Sequence, residues 1–157
     1  MGSYTPWDIE IARTVIAEHK KMPGALLPIL HALQETFGYI DREAEPLIAD
    51  ALNISRAEVH GVVTFYHDFR NVPPGRHVLK LCRAEACQST GGDALAAYAE
   101  GKVGVALGNT SADGRISIEP VYCLGLCAMA PSAMLDGRVV GRLDTQKIDT
   151  LLAEADR

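Results

Sequence analysis

Asn71-Val72-Pro73-Pro74-Gly75 interrupts the chain near its middle. Two adjacent prolines remove two backbone N–H donors and fix φ, so no helix continues through them. The hydrophobic pattern changes across this break. Before it, apolar residues recur every three to four positions; after it, short apolar runs alternate with turn signals and one Ala-rich stretch. The reading is a helical bundle over residues 1–72 and a second domain over 73–157.

The first part reads as four amphipathic helices. Thr5 can cap the first, with Pro6 at its opening position and Asp8 near the positive end of the dipole. Ile9, Ala12, Ile16 and His19 then share a face, until Met22-Pro23-Gly24 breaks the pattern. Leu26, Ile29, Leu30, Leu33 and Phe37 form the stripe of a second helix, which Gly38 ends. Asp41 can cap a third, with Pro46 in its first turn and Leu47, Ile48, Ala51 and Leu52 facing inward. Ser55-Arg56-Ala57-Glu58 is a capping box that opens a fourth, carrying Val59, Val62, Val63 and Tyr66. Each stripe needs a partner to cover it.

The second part alternates strand and helix. His77 to Leu81 reads as a strand running into Cys82, and Asp93 to Glu100 as a helix. Asp113-Gly114 marks a turn before strand-like Ile116 to Tyr122. Asp136-Gly137 is a hairpin turn between Ala133-Met134-Leu135 and Arg138-Val139-Val140. Asp144 can cap a last helix with Ile148, Leu151 and Leu152. This β-α-β-β-α order is that of a small layered fold of thioredoxin type, which makes the whole chain α/β (α+β).

Composition narrows the function. The 157 residues carry 15 basic and 20 acidic side chains, a net charge of −5, with 48% apolar residues, so the chain is globular and not disordered. No Lys/Arg cluster suggests nucleic acid. The longest mostly apolar stretches, Gly24 to Leu30 and Val103 to Leu107, fall short of the roughly 20 residues a membrane helix needs. Met1 to Pro6 lacks the features of a signal peptide, and Pro6 stands where a Gly2 myristoylation signal wants Ser or Thr. A cytoplasmic location is expected, and there cysteines serve as metal ligands or redox groups more often than as disulfides.

All four cysteines lie in the second part: Cys82 and Cys87 as C-x4-C, Cys123 and Cys127 as C-x3-C. Each pair follows a strand-like run, so two loops at the same end of neighbouring strands can bring four thiolates to one point. Three chemistries compete. A [2Fe–2S] cluster takes four cysteine ligands and needs backbone N–H groups directed at its sulfurs; Gly91, Gly92 and Gly125 let the main chain approach. A structural zinc ion takes four cysteines at similar spacing. A dithiol redox site fits least, since its C-x-x-C signature is absent. Spacing leaves cluster and zinc level, with Pro131 after the second pair tilting slightly toward the cluster.

Leu81-Cys82-Arg83-Ala84-Glu85-Ala86-Cys87-Gln88 and Pro120-Val121-Tyr122-Cys123-Leu124-Gly125-Leu126-Cys127-Ala128-Met129-Ala130-Pro131 resemble the thioredoxin-like [2Fe–2S] ferredoxin family. That family includes the 24-kDa subunit of respiratory NADH:quinone oxidoreductase. It also includes small subunits of NAD-reducing hydrogenases and of molybdenum-containing, NAD-dependent formate dehydrogenases. Gly24 to Leu30, Phe37 to Ile40 and Val62 to Arg70 look like the family's helical N-terminal region. Within the family the cysteine loops look most like the gamma subunit of the formate dehydrogenase.

The resemblance implies an N-terminal four-helix docking region followed by a thioredoxin-like domain holding one [2Fe–2S] cluster on Cys82, Cys87, Cys123 and Cys127. It implies electron transfer inside a formate dehydrogenase complex. The partners would be a flavin/NAD-binding subunit and a molybdenum/Fe–S catalytic subunit. The equivalent subunit of a hydrogenase or of the respiratory enzyme is the alternative within the family, and a zinc-stabilised interaction module the alternative outside it.

Other residues read more plainly. Arg83 can offset cluster charge or stand as a solvated surface Arg. Tyr122 and Met129 are expected in the core, with shielding of the cluster as the other role. Phe65-Tyr66-His67-Asp68-Phe69 suits either a docking face or the core. The five histidines have no ligand spacing, and Gly101-Lys102-Val103-Gly104 is not a phosphate loop. No catalytic residue and no substrate site of the chain's own is expected.

Overall fold

A computed structural model describes residues 4–156; the readings of Met1 to Ser3 lie outside the described residues. The chain divides into two compact units, one ending at Pro73 and one beginning at Pro74.

The first unit holds α1 (Ile9–His19), α2 (Leu26–Phe37), α3 (Ala44–Leu52) and α4 (Arg56–Phe65). Asp8, not Thr5, caps α1, accepting from the N–H groups of Glu10 and Ile11. The Thr5 N–H is instead bonded to the Thr36 carbonyl, and Trp7 packs on Phe37, so the segment before Asp8 runs along the end of α2. Ala12 and Ile16 are buried, while Ile9 is left at the rim. Gly38 ends α2 at φ 82°, as its position demands.

The Asp41 carboxylate accepts from the Glu43 N–H one step ahead of α3, whose own N-cap Glu43 makes no side-chain cap bond. Pro46 lies in the first turn, but α3 buries Ala44, Ile48 and Ala49 and turns Ala51 outward. Both bonds of the Ser55/Glu58 capping box are present on α4. These helices enclose one core centred on Ile29, Leu30, Leu33, Phe37, Ile48 and Val59. Phe69 belongs to it, whereas Phe65 is 73% exposed and Tyr66 is also exposed. Gln34 is a buried polar member: its amide donates to the Asp68 carbonyl and accepts from the Arg70 N–H, each at 2.7 Å.

The second unit is a five-stranded sheet with helices. It contains β1 (His77–Cys82), α5 (Glu85–Ser89), α6 (Gly92–Val103), β2 (Asn109–Thr110), β3 (Ile116–Val121), a 3₁₀ turn (Cys127–Met129), β4 (Ala133–Leu135), β5 (Arg138–Val140) and α7 (Thr145–Glu154). The sheet order is β2-β3-β1-β4-β5. β1 and β3 are parallel, and the other pairs antiparallel.

Two elements escape the sequence pattern. Five-residue α5 is too short for a helical period, and two-residue β2 too short for alternation. α6 is also longer than Asp93 to Glu100 and ends at Gly104 in the left-handed region. Asp136 and Gly137 both have positive φ, as a two-residue hairpin requires. Asp144 caps α7 by accepting from the Lys147 N–H. Leu79, Ile116, Ile118 and Ile148 fill the core.

Candidate metal centre

The parallel pairing of β1 with β3 positions the cysteines. In its register Cys82 faces Val121, so both chains leave the sheet at the same end, and Cys123 follows two residues later. The Arg83 N–H continues the pairing with the Val121 carbonyl at 2.8 Å. Short α5 then carries Cys87 back beside the 3₁₀ turn that begins with Cys127.

The two pairs have different surroundings. Cys82 and Cys87 are buried, at 4% and 2% exposure; Cys123 and Cys127 are exposed. Gly92 seals the first loop. A Cβ there would stand 2.6 Å from the Cys87 carbonyl oxygen, so only glycine lets α6 start that close. Gly91 and Gly125 act differently, with open space around them and φ of 91° and 77°; they supply backbone conformation, not close approach. Cys123 itself has φ 88°, a strained value for a residue with a side chain.

Cys123 Sγ lies 3.6 Å from Cys127 Sγ and accepts from the Gly125 N–H at 3.3 Å. Two sulfurs bound to one tetrahedral metal at about 2.3 Å stand roughly 3.8 Å apart. The second pair therefore has the spacing of two ligands on one metal. Among the described residues no three His, Cys, Asp or Glu side chains gather closely enough to hold a single ion; the thiols come together as pairs.

The loops are also linked to each other. Burial pushes the Cys82 thiol up. The backbone N–H of Ala84, the Cys87 side chain and the backbone N–H groups of Cys123 and Leu124 outweigh that, and the thiol is held below its ordinary value. The backbone of the second loop thus acts on a thiol of the first. The Cys127 thiol is pushed up by its hydrogen bond with Cys123, by the charge there, by desolvation, and by the charges of Cys87 and Cys82. The Cys82 and Cys127 thiols therefore both respond to other cysteines, which is what a cationic core between them would relieve. The donor set fits an iron–sulfur group: four thiols in two pairs, with N–H groups aimed at sulfur.

Arg83 is paired with Asp93 at 3.0 Å through one Nη, and its Nε is buried without a hydrogen-bond partner. Tyr122 and Met129 are not core residues. Tyr122 is 75% exposed and Met129 41%, because β3 ends at Val121 and the loop carries both side chains outward beside Cys123 and Cys127. Sequence reasoning missed Ser132, which is buried with its hydroxyl 3.5 Å from Cys87 Sγ. No spacing rule singles out a serine after Pro131.

Comparison with known proteins identifies the family. The profile of a family described as thioredoxin-like [2Fe-2S] ferredoxin matches residues 12–156. The chain belongs to that family, and its cofactor is one [2Fe–2S] cluster, which settles the alternative between cluster and zinc. The NADP-reducing hydrogenase subunit HndA of Solidesulfovibrio fructosivorans is 34% identical over 131 residues, 83% of this chain and 77% of that protein. A subunit of the NADH-quinone oxidoreductase of Pseudomonas aeruginosa is 34% identical over 129 residues, 82% of this chain and 78% of its own length.

A chain of the air-oxidized NAD+-reducing [NiFe]-hydrogenase superposes with a TM-score of 0.71 at 28% identity. The match covers 87% of this chain but only 23% of the hydrogenase chain. These relatives are subunits of oxidoreductase complexes, and electron transfer is the chemistry this class of subunit shares.

Proposed function

We propose that Cys82, Cys87, Cys123 and Cys127 ligate the cluster, and that the chain passes single electrons inside a cytoplasmic, NAD-linked oxidoreductase complex. The observation that carries this reading is the placing of two cysteine pairs at the same end of adjacent parallel strands, with Cys123 Sγ 3.6 Å from Cys127 Sγ and accepting from the Gly125 N–H. When bound, the cluster accepts and releases one electron at a time. The chain's own residues hold the sulfurs, direct N–H dipoles at them, and bury Cys82 and Cys87 away from water. Cys123 and Cys127 stand at the surface, where an electron partner can approach. No helix among the described residues is long and apolar enough to cross a membrane.

The partner is the subunit that carries flavin and binds NAD, and the helical region 1–72 serves as its docking domain. The names of the relatives support a hydrogenase or an NADH:quinone oxidoreductase as the parent complex. The cysteine loops of residues 82–88 and 121–127 support a third parent, a formate dehydrogenase with a molybdenum/Fe–S catalytic subunit. The chain needs no substrate site under any of these. An open groove of about 140 Å³ in the helical unit is lined by Arg13, Ile16, Ala17, Lys20, Leu47 and Ala51, none of them a carboxylate, thiol or imidazole.

Anaerobically purified protein is expected to be red-brown, with about two irons and two acid-labile sulfides per chain. A colourless protein carrying one zinc rejects the reading. Co-purification from the native host decides the parent complex: a partner with a molybdenum site selects formate dehydrogenase, and one without it excludes that parent.

A further inference from the structure

We infer that Ser132 is a positioning residue of the redox centre, whose hydroxyl donates a hydrogen bond to the Cys87 sulfur and raises the reduction potential. This rests on Cys87 being a ligand.

Ser132 and Cys87 are each 2% exposed, and their Oγ and Sγ lie 3.5 Å apart. No other partner of this hydroxyl is found among the described residues. As a free thiol, Cys87 could donate or accept. As a metal-bound thiolate it has no proton, so the Ser132 O–H must donate.

The serine backbone is held on both sides. Its carbonyl accepts from the Cys82 N–H at 3.0 Å, the Pro131 carbonyl accepts from the Leu143 N–H at 2.8 Å, and Ala133 pairs with Leu81 in the sheet. One residue thus contacts both cysteines of the first loop, through its main chain to Cys82 and its side chain to Cys87.

Reduction adds one electron to the metal–thiolate unit and neither forms nor breaks a bond in the protein. It raises the negative charge on the sulfurs, so a donor stabilises the reduced state more than the oxidised one. Because the pair is buried, water does not substitute for the hydroxyl, and its dipole acts at low dielectric. At exposed Cys123 and Cys127 water competes for the same role.

The test is Ser132→Ala in the holoprotein, beside Ser89→Ala as a control at an exposed serine bonded to the Ala86 carbonyl. Iron and sulfide content are measured first; their absence from the wild-type protein would refute cysteine ligation itself. With the cluster present, Ser132→Ala is expected to move the midpoint of an EPR-monitored redox titration to more negative potential, and Ser89→Ala to leave it in place.

Resonance Raman gives a second readout. The wild-type protein reconstituted in D2O should show a shift of terminal Fe–S(Cys) bands that is diminished in Ser132→Ala. A loaded Ser132→Ala protein with unchanged midpoint overturns the inference, as does a wild-type protein whose terminal bands ignore D2O. Should the alanine variant fail to load, Ser132→Thr and Ser132→Val repeat the comparison at matched shape. Equal midpoints for that pair, or failure of both to load, count against the hydroxyl, and a more positive midpoint for Thr supports it.

Discussion

In the helical unit, polar side chains close parts of the unit's own backbone, at the surface and in the core. Asp8 and Ser55 take up N–H groups at helix starts, and Gln34 bridges from α2 to the main chain at Asp68 and Arg70. At the cysteine end of the second unit backbone donors meet sulfur instead. Like α2 and α3, the helices α5 and α6 and the 3₁₀ turn begin without a side-chain cap, but here the Gly125 N–H donates to the Cys123 sulfur, and the backbone of Ala84, Cys123 and Leu124 lowers the Cys82 thiol. At these positions the first unit is closed by its own side chains. With the four thiols as the proposed ligands, part of the second unit's stability comes with the cluster they would bind.

The largest expected effect separates the units outright. Cys123→Ala should lose the cluster or leave it unstable, while the helical unit keeps its fold. Iron content read beside helical circular dichroism checks this. Full iron retention would break the ligand assignment, and loss of the helical signal together with the iron would break the independence of the units.

Gln34→Ala is the converse. It removes two part-buried hydrogen bonds and leaves a small cavity, a loss of about 2–4 kcal/mol. Urea denaturation should show the helical transition at lower denaturant with iron per folded chain unchanged. A parallel loss of iron would show that the two units are coupled.

What sequence could show follows the same division. Periodic stripes and end signals located α1 to α4, because helices longer than two turns repeat their contacts often enough to leave a pattern. They did not set rotation: Ala51 faces out because α3 packs through Ala44, Ile48 and Ala49, a choice made by neighbouring helices. Thr5 matched a cap by residue type, but tertiary bonding to Thr36 moved the start to Asp8.

In the second unit the cysteines and the Asp136-Gly137 turn were legible because their chemistry or φ values are special. The exposure of Tyr122 and Met129 was not, since apolar residues beside a ligand look the same in sequence whether they fill a core or form a rim. Ser132 was hidden for a similar reason: its role comes from where β4 begins, and that is a tertiary fact.

Gly92→Ala probes the sealed loop alone. Its Cβ would meet the main chain of Cys87 at 2.6 Å from oxygen and 2.9 Å from carbon, and a backbone contact cannot rotate away. Overpacking of this kind costs about 1–3 kcal/mol. The cluster unit should melt earlier and release iron faster to a chelator, with the helical unit unaffected. Unchanged chelation kinetics would mean that the first loop tolerates displacement and is not what holds Cys87 in place.

The smallest effect is acid sensitivity, and it resolves the units by pH. In the helical unit the Glu58 carboxyl is held below its ordinary value of 4.5 by the Ser55 backbone N–H and then by the Ser55 hydroxyl, against a small opposing effect of desolvation. In the second unit the Asp113 carboxyl is held below its ordinary 3.8 by the Ser111 hydroxyl, then by the Arg115 N–H, with desolvation opposing and the Arg115 charge assisting. A carboxyl depressed by folding adds stability that is complete above its unfolded value and is lost as pH falls through the folded one.

Each unit should therefore weaken below the unfolded value of its own carboxyl, Glu58 beginning at higher pH than Asp113. Both groups are solvent-exposed, so the increments are small and screened by salt. Glu58→Gln should flatten only the helical limb of a pH-resolved melt, and Asp113→Asn only the other. If either substitution flattens both limbs, the two regions do not unfold separately, and the contrast between a self-satisfied unit and a ligand-dependent one loses its thermodynamic meaning.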